Sequence, residues 1–513
     1  MEFLQINLMC KFETSKKQHM KPHFLSLLFL IFTSIVTAQK DLPQDYLTSD
    51  FHKSRRDALR KDMPQNSVAV FFANAVRNRS NDVDYVYHQD PDFYYLTGYK
   101  EPNAVLVIFS ENQQSPEGKT YNELIYVQER NALAEQWNGY RLGIEGAKEQ
   151  LGFDMAFNGE EFLESGIDYT KFDSVLFDSF KDDYRDSKRD KADLYDLIQA
   201  FKSQISYTET SVVTETNMGV ELNQSTNVVQ EKKVTVDNST LNRLMAGLRQ
   251  VKTPEELVLL KKAVRISAMG QREIMKAMHP DMSETEIQGI HEYVYKKYGS
   301  EYEGYPSIVG AGSNGCVLHY IENTKTKVDN DLVLMDLGAE YHGYTADVTR
   351  TIPANGKFST EQKLIYDIVY ESQEAGIAAS VIGNTLRSPD EAARKVINAG
   401  LIKLGIAKDD ADARQYFPHG TSHHIGLDVH DPSLRGPFEA NMVITVEPGI
   451  YIPEGSPCDE KWWGIAVRIE DDILITENGP INLSAEAPRK SDEIELLMKE
   501  SSVFGTFELP KLD

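Results

Sequence analysis

Positive charge and sulfur are what this chain has least of. Its 513 residues carry 54 lysines and arginines against 79 aspartates and glutamates, a formal net charge of −25. A nucleic-acid partner is thereby excluded, because holding a phosphate backbone requires a basic surface. Three cysteines cannot make a disulfide framework. Cys10 lies in an N-terminal leader, and Cys316 and Cys458 allow one bridge that nothing else in the sequence requires. Internal repeats and low-complexity tracts do not stand out either. What is there is an acidic chain, 41% hydrophobic and 10% aromatic, with enough apolar residues for two globular domains. The acidity serves solubility, part of it gathered at one site.

Residues 1–38 read as a signal peptide. Lys16, Lys17 and Lys21 precede the apolar run Phe24–Phe32, and Val36-Thr37-Ala38 offers small residues for cleavage after Ala38. The apolar core is short for a membrane span, no lipobox cysteine stands near the cleavage point, and Met20 is a second candidate start. The expectation is an exported protein, periplasmic or secreted, with no membrane span after signal cleavage.

The remainder reads as an α/β (α+β) chain of two domains, 39–240 and 241–500, followed by a tail at 501–513. The first alternates short β-prone runs, such as Ser67–Phe72 and Ala104–Phe109, with helical ones. The charged stretch from Lys181 to Lys191 reads as a solvated helix, and residues 207–239 as strands or linker. Thr253-Pro254-Glu255-Glu256 supplies an N-cap, a proline at the first helical position and a capping-box acid. Ser388-Pro389-Asp390-Glu391 repeats the device, and Ser359 with Gln362 makes a third.

Four acids and one imidazole then stand in order along the C-terminal third: Asp336, Asp347, His423, Glu447 and Glu470. Each lies in a strand-like or glycine-bordered segment, and together they form the donor set that a pair of oxygen-preferring divalent cations needs. Leu332, Leu334 and Asp336 share one face of a strand. Gly338 and Gly343 bracket the turn to the β-prone stretch Tyr344–Thr351. A hairpin centred on Tyr341 and His342 sets Asp336 directly opposite Asp347, about 5 Å apart at Cβ, an arrangement that like charges tolerate only with a cation between them. Glu447 ends the strand Met442–Glu447 at Pro448-Gly449. In Gly464–Glu470, Arg468 and Glu470 share a face, which suits Arg468 to orienting the acids. Of twelve histidines, His419, His423, His424 and His430 fall in one short segment, and His319 precedes the first aspartate strand.

On these segments, SIVGAGSNGCVLHY at 307–320, DLVLMDLGAEYHGYTADVTRT at 331–351, HGTSHHIGLDVHD at 419–431, TVEPGIY at 445–451 and GIAVRIEDD at 464–472, the chain resembles the metal-dependent Xaa-Pro aminopeptidases (aminopeptidase P). More broadly it resembles the prolidase and methionine aminopeptidase superfamily with the pita-bread fold. Arg55–Leu59, Asp92–Tyr99 and Glu101–Val107 look like that family's amino-terminal domain, which disfavours methionine aminopeptidases.

The resemblance implies a C-terminal pita-bread domain preceded by a smaller α/β domain. It implies two divalent metal ions on Asp336, Asp347, His423, Glu447 and Glu470, with Asp347 and Glu470 bridging, and a water or hydroxide between the ions as nucleophile. Glu447 would relay its proton. His319, His419 and His430 would face the substrate, with His319 and His430 counted beside Glu447 as catalytic, and Arg468 would support the site. His424 departs from relatives that carry a tryptophan there, which bears on pocket shape. Oxygen-rich ligation with one histidine suits Mn2+, though cobalt, zinc or iron can occupy the same ligands. The implied partners are proline-containing peptides, and relatives suggest a homo-oligomer, a dimer or tetramer. A prolidase confined to Xaa-Pro dipeptides uses the same centre and stays open, as does an inactive pita-bread module that binds peptides or proteins, which the complete set of five ligand types disfavours.

Overall fold

The computed structural model describes residues 43–180, 191–207, 234–507 and 509. The signal peptide expected at 1–38, the charged stretch through 181–190, most of the 207–239 segment and the end of the 501–513 tail lie outside the described residues. Among the described residues no helix is long and apolar enough to cross a membrane.

The strand Ser67–Phe72 is buried along its whole length, which places it inside a sheet covered on both faces. On one side it runs antiparallel to Val105–Gln114, which pairs in turn with Thr120–Val127 and then Ala156–Asn158. On the other it runs parallel to Ser174–Leu176, followed by Val236–Asp237. Val68, Val70 and Phe72 pack with Leu197, Ile198 and Phe201 on one face. Ala69 and Phe71 point the other way, into a cluster that also holds Leu257, Leu260, Tyr341 and Tyr344 from the second half of the chain. The first sheet and the second half therefore share one core.

The helix Ser239–Gln250 runs through the division expected at 240/241. Thr253 and Glu256 form the capping box of the helix Pro254–Ala277, and Ser359 and Gln362 that of Thr360–Ala379. The third expected cap differs. That helix is Arg387–Lys403 with Leu386 at the N-cap, so Ser388 sits inside the first turn, its Oγ accepting the Thr385 N–H at 3.3 Å. Pro389 still lies in that turn, where a missing N–H leaves no hydrogen bond unmade.

Two ribbons carry the acids. In the first, Leu332–Asp336 pairs with Ile308–Ala311 and Thr349–Pro353, while Ala339–Tyr341 pairs with Tyr344–Thr345. Its register corrects the expected one: Tyr341 faces Tyr344, so the turn centres on His342 and Gly343, and Asp336 faces Thr349 instead of Asp347. The reason is local, because His342 (φ 51°) and Gly343 (φ 89°) both adopt left-handed backbone, the requirement of a two-residue hairpin turn. A slip of two residues keeps side chains on their original face, and Asp347 remains a diagonal neighbour of Asp336. In the second ribbon Val443–Val446 pairs with Asp471–Leu474, and Gly449–Ile452 with Ile465–Arg468. Glu447 and Glu470 occupy the two gaps between these pairs. Beneath both ribbons Met335, Leu337, Ile352, Val369, Ile450, Val467 and Ile469 form one buried cluster. Cys316 and Cys458 are free thiols, and no disulfide joins them.

Candidate metal centre

The fold brings all five expected residues into one neighbourhood, with Asp336, Asp347 and Glu470 buried and His423 and Glu447 partly so. Among the described residues, Asp347, His423 and Glu470 each offer a ligand atom within 4.8 Å of the others. His423 Nε2 lies 3.6 Å from Asp347 Oδ2 and 3.5 Å from Glu447 Oε1. Its Nδ1 lies 3.0 Å from the His424 carbonyl; donating there leaves Nε2 with its lone pair toward the acids. Glu470 accepts the Thr349 hydroxyl at 2.7 Å. Asp336 joins through Tyr305, whose hydroxyl lies 2.6 Å from both Asp336 Oδ1 and Asp347 Oδ1.

Arg468 stands where its strand parity placed it. It donates to Asp336 Oδ2 at 2.6 Å, to the Tyr451 hydroxyl at 2.9 Å and to Thr349 Oγ1 at 3.3 Å. His419 lies 3.5 Å from Glu447 Oε2 through Nδ1, with Nε2 2.8 Å from the Tyr451 hydroxyl. The His430 ring is exposed, its centroid 4.1 Å from that of His423. His319 is not drawn in: it is exposed on the turn after Gly312–Cys316, and none of the site's hydrogen bonds or ion pairs among the described residues involves it. His424 is buried and makes a β-bridge to Ile444.

The electrostatics are those of crowded acids. Burial, then the charges of Glu470 and Asp336, push the Asp347 carboxyl well above the usual range. Burial and Glu470 do the same to Glu447. Glu470 is pushed up to about 8 by burial and by Asp336. For Asp336 burial acts upward too, but the Arg468 charge and the hydrogen bonds from Tyr305 and Arg468 win, and its carboxyl lies below the usual range. His423 and His419 are both lowered to about 4, chiefly by burial, with His430 opposing charge on the first and Arg468 on the second. Their imidazoles are therefore neutral and able to donate a lone pair. Carboxylates this costly to charge side by side, beside a neutral imidazole with a free Nε2, are satisfied by divalent cations, so the donor set fits them.

Two residues of the site escape a reading of the sequence. Tyr305 bridges aspartates 31 and 42 positions away, and no local pattern marks it. Tyr451 does carry a signal, since it lies four residues after Glu447 and so on the same side of an extended chain.

Fold and site together define a class, the metal-dependent hydrolases built on paired carboxylate ribbons. Residues 258–477 match Metallopeptidase family M24, and residues 52–171 match Aminopeptidase P, N-terminal domain. The chain belongs to metallopeptidase family M24. It is 36% identical to an Xaa-Pro aminopeptidase of Escherichia coli (strain K12) over 463 residues, 86% of this chain and 96% of that one. Two solved E. coli aminopeptidase P structures, each 34% identical, cover 88% of this chain and 98% of theirs. One, with the inhibitor Pro-Leu, superposes with a TM-score of 0.74; the other, zinc-substituted with product, with 0.73. The fold is thus the pita-bread domain preceded by the aminopeptidase P N-terminal domain.

Proposed function

We infer that the protein hydrolyses the Xaa-Pro bond and releases the first residue from peptides with proline in second position. The observation that carries this is the convergence of Asp336, Asp347, His423, Glu447 and Glu470 in a chain so fully matched to an Xaa-Pro aminopeptidase. The bond is unusual, a tertiary amide without an N–H whose ring restricts the residue before it. A site that grips the ring does not depend on that missing donor.

Divalent cations on these five residues supply an acidified water and a polarised scissile carbonyl. The rest is the chain's own chemistry. Glu447, at a strand end between His423 and His419, takes the proton of the attacking water and returns it to the departing proline nitrogen. His430 beside His423, and His419 braced by Tyr451, face the peptide and stabilise the oxyanion; His319, exposed and apart from these contacts, is given no part in it. Arg468 keeps Asp336 charged and oriented. The oxygen-rich donor set supports manganese as the native metal. Export is supported by the lysines and apolar run before Ala38. A dimer or tetramer is supported by the helix Ala132–Asn138, which buries none of its residues and leaves Leu133 and Trp137 exposed.

The test is cleavage by metal-stripped protein and by its Mn2+-reloaded form of an Xaa-Pro dipeptide, Xaa-Pro-Xaa peptides and an alanine-second control. The expected result is release of the first residue from the longer proline peptides, only after metal is restored. Cleavage confined to the dipeptide would make it a prolidase. Silence with every metal would make it a binding module.

A further inference from the structure

One ionic cluster near the site is used by nothing so far described. Arg249 and Lys252, both buried, face three carboxylates. Arg249 pairs with Asp92 of the N-terminal domain at 2.7 Å, with Asp428 at 2.7 Å and with Asp431 at 2.5 Å. Lys252 Nζ pairs with the other Asp431 oxygen at 2.8 Å and donates to the Arg249 carbonyl at 2.6 Å. Burying charges at this density stabilises a fold little, because desolvation consumes most of the attraction. What the cluster does supply is fixed position.

The segment it fixes is the one that carries His423 and His430. Asp431, next to His430, has its carboxylate held from both sides, and its backbone N–H donates to the His424 carbonyl at 2.9 Å. That same carbonyl lies 3.0 Å from His423 Nδ1. One oxygen therefore joins the clamped aspartate to the imidazole whose Nε2 faces Asp347 and Glu447. Gly426 closes the cradle: a Cβ there would lie 2.7 Å from Asp431 Oδ2 and 2.9 Å from Lys252 Nζ. The Gly426 carbonyl in turn accepts the Thr345 N–H at 2.8 Å, two residues from Asp347.

We propose that Arg249, Lys252 and Asp431 are positioning residues that hold the His424 carbonyl, and through it the tautomer and aim of His423, with Asp92 tying this clamp to the N-terminal domain. The inference rests on His423 being a metal ligand, as in the proposed function. Asp431→Asn keeps the shape and removes the charge. Arg249→Lys keeps the charge but loses the fork that spans three carboxylates. Asp92→Asn releases only the tie between domains.

Each variant is compared with the parent protein for Mn2+ affinity by calorimetry, for bound metal, for kcat and KM separately, and for the melting temperature of the apo form. Loss of an outer-shell partner weakens metal binding about 10- to 100-fold. Asp431→Asn is expected in that range, Arg249→Lys in the same direction, and Asp92→Asn less, all with kcat falling more than KM rises. A lowered apo melting temperature with Mn2+ affinity and kcat held within about twofold of the parent would reduce the clamp to a packing element and overturn the proposal. Should Asp431→Asn fail to fold, Arg249→Lys and Asp92→Asn are read by the same criterion. A parent protein that binds no Mn2+ would instead remove the metal reading itself, a different result from normal affinity in the variants.

Discussion

Replacing Glu447 by glutamine separates proton transfer from packing. The two side chains have nearly the same shape, so the strand end, anchored by the Glu447 N–H on the Thr421 carbonyl at 2.8 Å, is undisturbed. What disappears is a base standing 3.5 Å from both His423 Nε2 and His419 Nδ1. A positioned general base contributes about 10²–10⁴ in rate, equal to about 3–5 kcal/mol of barrier. Burial beside Glu470 makes a charged Glu447 costly without metal, so the neutral amide leaves the apo fold at least as stable as the parent. The assay is steady-state cleavage of an Xaa-Pro-Xaa peptide, with bound metal counted in the same samples and apo melting followed by calorimetry. The expected outcome is a kcat lower by that factor per loaded site, a KM little changed and an apo melting temperature equal or higher. A near-parent kcat at full occupancy would remove Glu447 from proton transfer, and a loss that merely follows metal content would leave it a ligand only.

Two further outcomes concern the scaffold. Arg350, fully buried, donates to the Thr349 and Glu470 carbonyls at 2.8 and 2.7 Å and pairs with Asp471 at 2.7 Å; Arg350→Met should cost about 3–5 kcal/mol in urea unfolding, and a cost under about 1 kcal/mol would refute its role as the tie between ribbons. His52, packed against Gly98 and 2.9 Å from the Tyr95 carbonyl, has its pKa lowered from 6.5 to about 4, chiefly by burial. The unfolded chain therefore binds the extra proton between those values, and stability present above pH 6.5 falls by up to about 3 kcal/mol as pH drops toward 4; His52→Asn should flatten that slope in denaturant titrations, and an unchanged slope would count against it.

The convergence of the candidate ligands was legible because a carboxylate cluster on ribbons repeats a simple chemical sentence, an acid at or just past a strand end. Asp336 ends a strand, Asp347, Glu447 and Glu470 stand in the gaps between strands, and parity along the strand was enough to place Arg468. The hairpin register was not legible, since it depends on His342 accepting a left-handed backbone that few side chains favour; the two-residue error spared the site only because it preserved the face. Tyr305 and the Arg249 clamp lay beyond reach for another reason. Their partners are 31 to 182 residues distant, and no periodicity records contacts that only the closed fold creates. Ser388 shows the converse, a correct local signature displaced because a residue that can cap a helix can also sit inside its first turn.

The tip of the aspartate hairpin is seated in the first domain: the Tyr94 hydroxyl donates to the His342 carbonyl at 3.2 Å across 248 positions of sequence, and a Cβ on Gly343 would lie 2.9 Å from the Tyr94 ring. On a ribosome adding 5–20 residues per second, Tyr94 is made roughly ten to fifty seconds before the hairpin that covers it. Through that interval Tyr94 has its contact with His52 but lacks the hairpin tip that finally closes over its hydroxyl. The same seating that joins the aspartate hairpin to the first domain makes synthesis a period in which the tip's binding place stands open.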